Sequence, residues 1–97
     1  MLTHECIVRA VETVAPRVGA TKVSYFGSYA LGSASGGSDL DILIEFDVPA
    51  VSLLTIIDFK NQLEDELGVS VDVIHAPLPD DALITIEKAV PVYDVAA

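Results

Sequence analysis

The stretch YFGSYALGSASGGSDLDILIEF, Tyr25 to Phe46, decides how this chain is read. Its last part is a strand pattern. Leu40, Ile42, Ile44 and Phe46 recur every second residue and give one apolar face. The opposite face opens on Asp39 and Asp41, about 7 Å apart along an extended chain. Two carboxylates that close repel, and without a cation one of them tends to keep a proton. Ahead of them lies a loop of small residues, Gly32 to Ser38, introduced by Gly27-Ser28.

Working outward, Thr3 caps a first helix to about Val18, with Ile7, Val11, Val14 and Val18 on one face and Gly19 just past its end. Lys22 to Phe26 reads as a strand, Ser28 as the cap of a short helix through Leu31, and Asp39 to Phe46 as the second strand, ended by Pro49. Ser52 caps a second long helix to Leu67, whose stripe is Leu53, Ile56, Ile57, Lys60, Leu63 and Leu67, and Gly68 stops it. Val69 to Ile74 is a third strand with Asp72 on its non-valine face. Pro77 and Pro79 break the chain before a third helix from about Asp80 to Ala89, and Pro91 to Tyr93 reads as an edge strand. The predicted fold class is α/β (α+β): a small mixed β-sheet covered by helices, in a single domain over residues 1–97.

Bulk properties narrow the function. Hydrophobic residues make up 52% of the chain, which favours a packed core over disorder. Fifteen acids against five bases leave a formal charge of −10, which repels free nucleic acid and anionic membranes and suits cations or basic proteins. No apolar stretch approaches the ~20 residues of a membrane span. The first residues lack the basic-then-apolar signature of a signal peptide. Cys6 is the lone cysteine, so a reducing cytoplasm is the expected location.

Asp72 interrupts the apolar run VSVDVIH and needs a partner or a cation, unless it sits at an exposed edge of its strand. If its strand lies beside the second, it reaches the same place as Asp39 and Asp41. Magnesium prefers such hard oxygen ligands and binds them together with phosphate oxygens. Gly27 allows close backbone approach, and a turn opening a helix offers free N–H groups to an anion. The two features together predict a nucleoside-triphosphate site. No Lys or Arg falls between Lys22 and Lys60 to help neutralise the phosphates.

Gly27-Ser28, ten intervening residues and then Asp39-Leu40-Asp41 resemble the G-S-x10-D-x-D signature of the nucleotidyltransferase superfamily that includes DNA polymerase beta. With the ending EKAVPVYD, the chain looks like a minimal nucleotidyltransferase, a class commonly encoded beside a HEPN-domain ribonuclease toxin. The resemblance implies that Gly27 and Ser28 hold the triphosphate of ATP, that Asp39 and Asp41 ligate two Mg2+ ions, and that Asp72 completes one metal site and activates the attacking hydroxyl. It implies an antitoxin that transfers AMP to a tyrosine of a HEPN partner in a hetero-oligomer. Many relatives carry arginine where this chain has Leu31, so neutralisation of the partner by binding alone is the alternative. A small-molecule nucleotidyltransferase is a weaker third idea, because those relatives use a further domain to hold the acceptor.

Other residues have plainer readings. Ser38 is a candidate nucleotide contact, although a loop serine more often satisfies local backbone. Tyr29 lines the nucleotide pocket or only packs. His4 reads as surface, His75 as an ordinary strand-end histidine, Cys6 as a small apolar residue, and Glu64-Asp65-Glu66 as a solvated helix face. There is no P-loop, no complete EF-hand loop and no Cys/His cluster for zinc.

Overall fold

The structure, a computed structural model, describes residues 2–35, 37–48, 50–76 and 88–95. Helix α1, His4–Val18, starts where Thr3 Oγ1 accepts the Cys6 N–H at 3.2 Å. It stops at Gly19, whose left-handed φ of 77° lets its N–H return to the carbonyls of the last turn. Strand β1, Ala20–Phe26, leads into the single turn α2, Ser28–Leu31, and strand β2 runs Leu40–Phe46. Helix α3, Leu53–Leu67, is capped by Ser52 and ended by Gly68. Strands β3, Val71–Ala76, and β4, Val90–Asp94, follow.

The sheet order is β3-β2-β1-β4. β1 pairs antiparallel with β2 and β4, whereas β2 and β3 run parallel. A parallel pair needs a long crossover, and α3 supplies it. Pro91 sits on the edge strand β4 beside a register shift, where a missing N–H costs the ladder least.

One sheet face is the core. Val23 and Tyr25 of β1, Leu40, Ile42 and Ile44 of β2 and Val71 of β3 are buried there. They join Ile7, Val11 and Val14 of α1 and Phe59 and Leu63 of α3 in one cluster. Register puts the opposite face in rows: Phe26, Asp41 and Asp72 at one end, Ser24, Leu43 and Ile74 in the middle.

Several boundaries and faces differ from the sequence expectation. Gly27, not Ser28, is the N-cap of α2, and it makes no side-chain cap. β3 begins two residues late because the turn at Gly68 takes up Val69 and Ser70, yet the alternation keeps Val71 and Asp72 on opposite faces. In α3 the buried face centres on Phe59 and Leu63, while Leu53 is 70% exposed and Ile57 is 41% exposed. At about 100° per residue, Ile57 lies roughly 160° around the helix from Phe59, so the large ring sets the rotation and turns Ile57 outward. Cys6 is exposed rather than packed. The third helix expected over Asp80–Ala89 lies outside the described residues, apart from Lys88 and Ala89, which are not helical. No described helix is long and apolar enough to cross a membrane.

Candidate active site

β1 delivers Gly27 at its end, and β2 starts just after Asp39. In the antiparallel register Phe26 is opposite Asp41, and in the parallel register Asp41 is opposite Asp72. Directly paired residues point to the same side of a sheet, so Asp41 and Asp72 are neighbours on the face away from the core. Asp39, two residues before Asp41, lies just outside the strand.

Gly27 is fitted against this row. A Cβ built on it would stand 3.1 Å from Asp41 Cγ and collide with Asp41 Oδ2. Its φ of 71° and ψ of −146° are also open only to glycine at low cost. Backbone and carboxylate therefore touch, as the two halves of one pocket would. α2 is one turn long, so it offers a few local N–H groups rather than a full helix dipole. The Ser28 carbonyl takes the Ser33 N–H at 2.9 Å, while the hydroxyl of Ser28 is not engaged by any described residue.

Electrostatics tie the three acids together. Partial burial pushes the Asp41 carboxyl up from its ordinary value, and the charges of Asp72 and then Asp39 push it further. Among the described residues neither a cation nor a hydrogen bond lowers it. Among the described residues no three His, Cys, Asp or Glu side chains are already gathered as a metal shell. The donor chemistry nevertheless suits a hard divalent cation: Asp41 and Asp72 are paired on one face, and the charges of Asp72 and Asp39 both act on Asp41. A cation there would remove the repulsion that the acids exert on Asp41.

The remaining sequence candidates are placed as follows. The Ser38 Oγ accepts the Ser35 N–H at 2.8 Å, so it organises the loop that leads to Asp39. Tyr29 packs against the core and its buried hydroxyl has no hydrogen-bond partner among the described residues. With Leu2, Gly32 and Ala34 it lines a cavity of about 100 Å³. Leu31 is 57% exposed at the end of α2. His75 lies within β3, its ring edge-on to Phe46 with centroids 5.4 Å apart. His4 is exposed, and its Nδ1 lies 2.8 Å from the Tyr25 hydroxyl.

Glu64 does not belong to a solvated acidic face. Its Oε2 accepts the Val71 N–H at 2.8 Å and the Lys60 Nζ at 3.0 Å. These contacts, the backbone bond foremost, hold its carboxyl below the usual range. Lys60 and Glu64 are an i,i+4 pair and so visible in sequence, but the bond to Val71 requires α3 and β3 to be docked.

Comparison with known proteins gives the family of the chain. Residues 7–94 match the family model described as nucleotidyltransferase domain, so the chain belongs to the nucleotidyltransferase domain family. A Methanocaldococcus jannaschii protein named as a protein adenylyltransferase is 40% identical over 82 residues, 79% of this chain and 87% of that protein. The protein adenylyltransferase MntA of Thermococcus cleftensis is 42% identical over 59 residues, 60% of this chain and 58% of MntA. Against two further Methanocaldococcus jannaschii relatives, the matched region spans about half of their length. Among solved structures, a minimal nucleotidyltransferase superposes with a TM-score of 0.63 at 39% identity, over 75% of this chain and 78% of that one. A toxin–antitoxin structure with AMP-PNP superposes with a TM-score of 0.74 at 18% identity, over 96% of this chain and 74% of that one, and shares the fold.

Proposed function

We propose that this chain is a magnesium-dependent protein adenylyltransferase that moves AMP from ATP to a tyrosine hydroxyl of a HEPN-type ribonuclease toxin, and so acts as its antitoxin in the cytoplasm. The observation that carries the reading is the Asp41–Asp72 pair in parallel register, with Gly27 packed against the Asp41 carboxylate. The relatives named as protein adenylyltransferases support transfer to a protein. The toxin–antitoxin neighbour has the same fold and was solved with a nucleotide analogue.

In this reading Asp39, Asp41 and Asp72 hold two magnesium ions, which when bound neutralise phosphate charge and polarise the α-phosphate. Gly27 and Ser28 bind the triphosphate through backbone N–H and hydroxyl, and Ser38 borders the nucleotide. The acceptor oxygen bonds to the α-phosphorus, the bond to the β-phosphate oxygen breaks and pyrophosphate leaves. Asp72 takes the hydroxyl proton. The acidic surface, −10 overall, suits a basic protein partner better than nucleic acid.

The test is incubation with ATP labelled at the α-phosphate, magnesium and the candidate toxin. Label should appear on the toxin and disappear with Asp39→Asn plus Asp41→Asn. Label that persists in the double variant rejects the assigned site. Leu31, exposed at a position where the family resemblance implies arginine, favours a second reading: an antitoxin that neutralises by binding alone. That reading stands if the double variant still protects cells, and falls if protection is lost while the complex survives.

A further inference from the structure

β3 is an edge strand, so half of its backbone groups face away from β2. The peptide joining Ser70 to Val71 is held from both sides. Toward β2, the Ser70 carbonyl accepts the Leu40 N–H at 2.9 Å. The N–H of the same planar trans peptide points the opposite way, where no strand among the described residues receives it. There the Glu64 Oε2 takes it at 2.8 Å, and the Lys60 Nζ holds that oxygen at 3.0 Å. The next side chain along β3 is Asp72, in register with Asp41. Leu40, whose N–H closes the other side, is likewise the residue before Asp41. The clamp therefore acts on the two residues that immediately precede the paired acids.

We propose that Glu64 is a positioning residue of the nucleotidyl-transfer site: its carboxylate takes the N–H that β3 turns away from β2, pins the 70–71 peptide, and thereby holds the Asp72 carboxylate beside Asp41. The inference rests on the reading of Asp72 as a metal ligand. Lys60 serves the same end one step removed, by fixing the Glu64 rotamer through an i,i+4 pair on α3. Groups that orient a metal-binding side chain commonly change metal affinity or activity by about 10–100-fold when removed.

The experiment compares Mn2+ binding, followed by electron paramagnetic resonance, for the wild-type chain, Glu64→Ala, Glu64→Gln, Glu64→Asp and Asp72→Asn, each kept well below its melting temperature. Exchange of the Val71 amide is followed by NMR on the same samples. Glu64→Ala should weaken Mn2+ binding by about 10–100-fold and speed Val71 exchange by about tenfold or more. Glu64→Gln keeps an acceptor oxygen at the same reach and should stay near wild type. Glu64→Asp keeps the charge but falls one methylene short, and should resemble alanine. Should alanine or aspartate at 64 bind Mn2+ like wild type while Asp72→Asn does not, the positioning role is wrong and the reading of Asp72 survives. Should Asp72→Asn bind Mn2+ unchanged, the reading of Asp72 itself is wrong. A glutamine variant as impaired as alanine would mean that charge, not the hydrogen bond, matters, and would also overturn the proposal. If alanine at 64 prevents folding, the glutamine–aspartate contrast still decides.

Discussion

Asp41 and Asp72 face each other in register across the parallel strands β2 and β3, on the sheet face opposite Leu40, Ile42 and Val71 of the core. Two acids in such a position work against folding unless something binds between them. Each variant in this row should therefore trade function against stability. Asp41→Asn or Asp72→Asn is expected to reduce nucleotidyl transfer by more than about 100-fold, since loss of a ligand exceeds loss of its support. In metal-free buffer Asp41→Asn should raise the melting temperature, by at most a few degrees. Calorimetry with and without Mg2+ checks both halves, and magnesium should stabilise wild type more than the variant.

Acid and base should act oppositely on the two perturbed carboxyls. The folded-state value of Asp41 is raised, so its contribution to stability is complete below the ordinary carboxylate value and is lost as pH rises through the raised one. The folded-state value of Glu64 is lowered, so its contribution is present above the ordinary value and is lost as pH falls through the lowered one. Denaturation across the acidic range in chelator is the measurement. Asp41→Asn should flatten the loss on the rising side and Glu64→Gln the loss on the falling side. Mg2+ affinity should drop as pH falls into the raised range of Asp41, because proton and metal compete for one carboxylate.

Gly27→Ala combines two faults, a Cβ driven into the Asp41 carboxylate and a φ of 71° that alanine resists. Destabilisation of about 1–3 kcal/mol is expected from the backbone conformation alone. Urea denaturation measures it. Nucleotide binding should be lost in the fraction that remains folded.

Leu31→Arg places a cation on an exposed side chain at the end of α2, near the proposed phosphate loop. ATP affinity should rise by about two- to fivefold at low salt, as expected for a partly screened charge pair, and the gain should shrink as salt is added. Titration at two ionic strengths tests it.

The rotation of α3 can be checked without any functional assay. Phe59 is fully buried and Leu54 is 75% exposed. Phe59→Ala should cost about 3–5 kcal/mol, whereas Leu54→Ala should fall within about 0.5 kcal/mol of wild type.

Much of this molecule was legible from local signals. Thr3, Gly19, Ser52 and Gly68 mark the ends of α1 and α3 through capping chemistry that depends only on neighbours in the chain. The alternation Leu40, Ile42, Ile44 assigns the core face of β2 and, by the same period, puts Asp41 on the other face. Of the apolar stripe of α3, Leu63 and Leu67 meet the core while Leu53 and Ile57 do not, because those two have the right residue type and only the docked position of Phe59 shows which side is covered. The Gly27–Asp41 contact and the Glu64–Val71 hydrogen bond had no sequence signal either, since each joins parts of the chain that meet only after the sheet has formed.

The amino-acid sequence alone determined the types of the described helices and strands, the spacing of Gly27-Ser28 from Asp39 and Asp41, and the separation of apolar from acidic residues along β2. All of these follow from interactions a few residues long. Only the tertiary structure decided that β3 lies parallel beside β2, that its register sets Asp72 opposite Asp41, and that Glu64 closes the open edge next to them. Strand pairing is a non-local choice. A one-residue slip would have sent Asp72 into the core face, and the buried Val71 fixes the register that keeps it out.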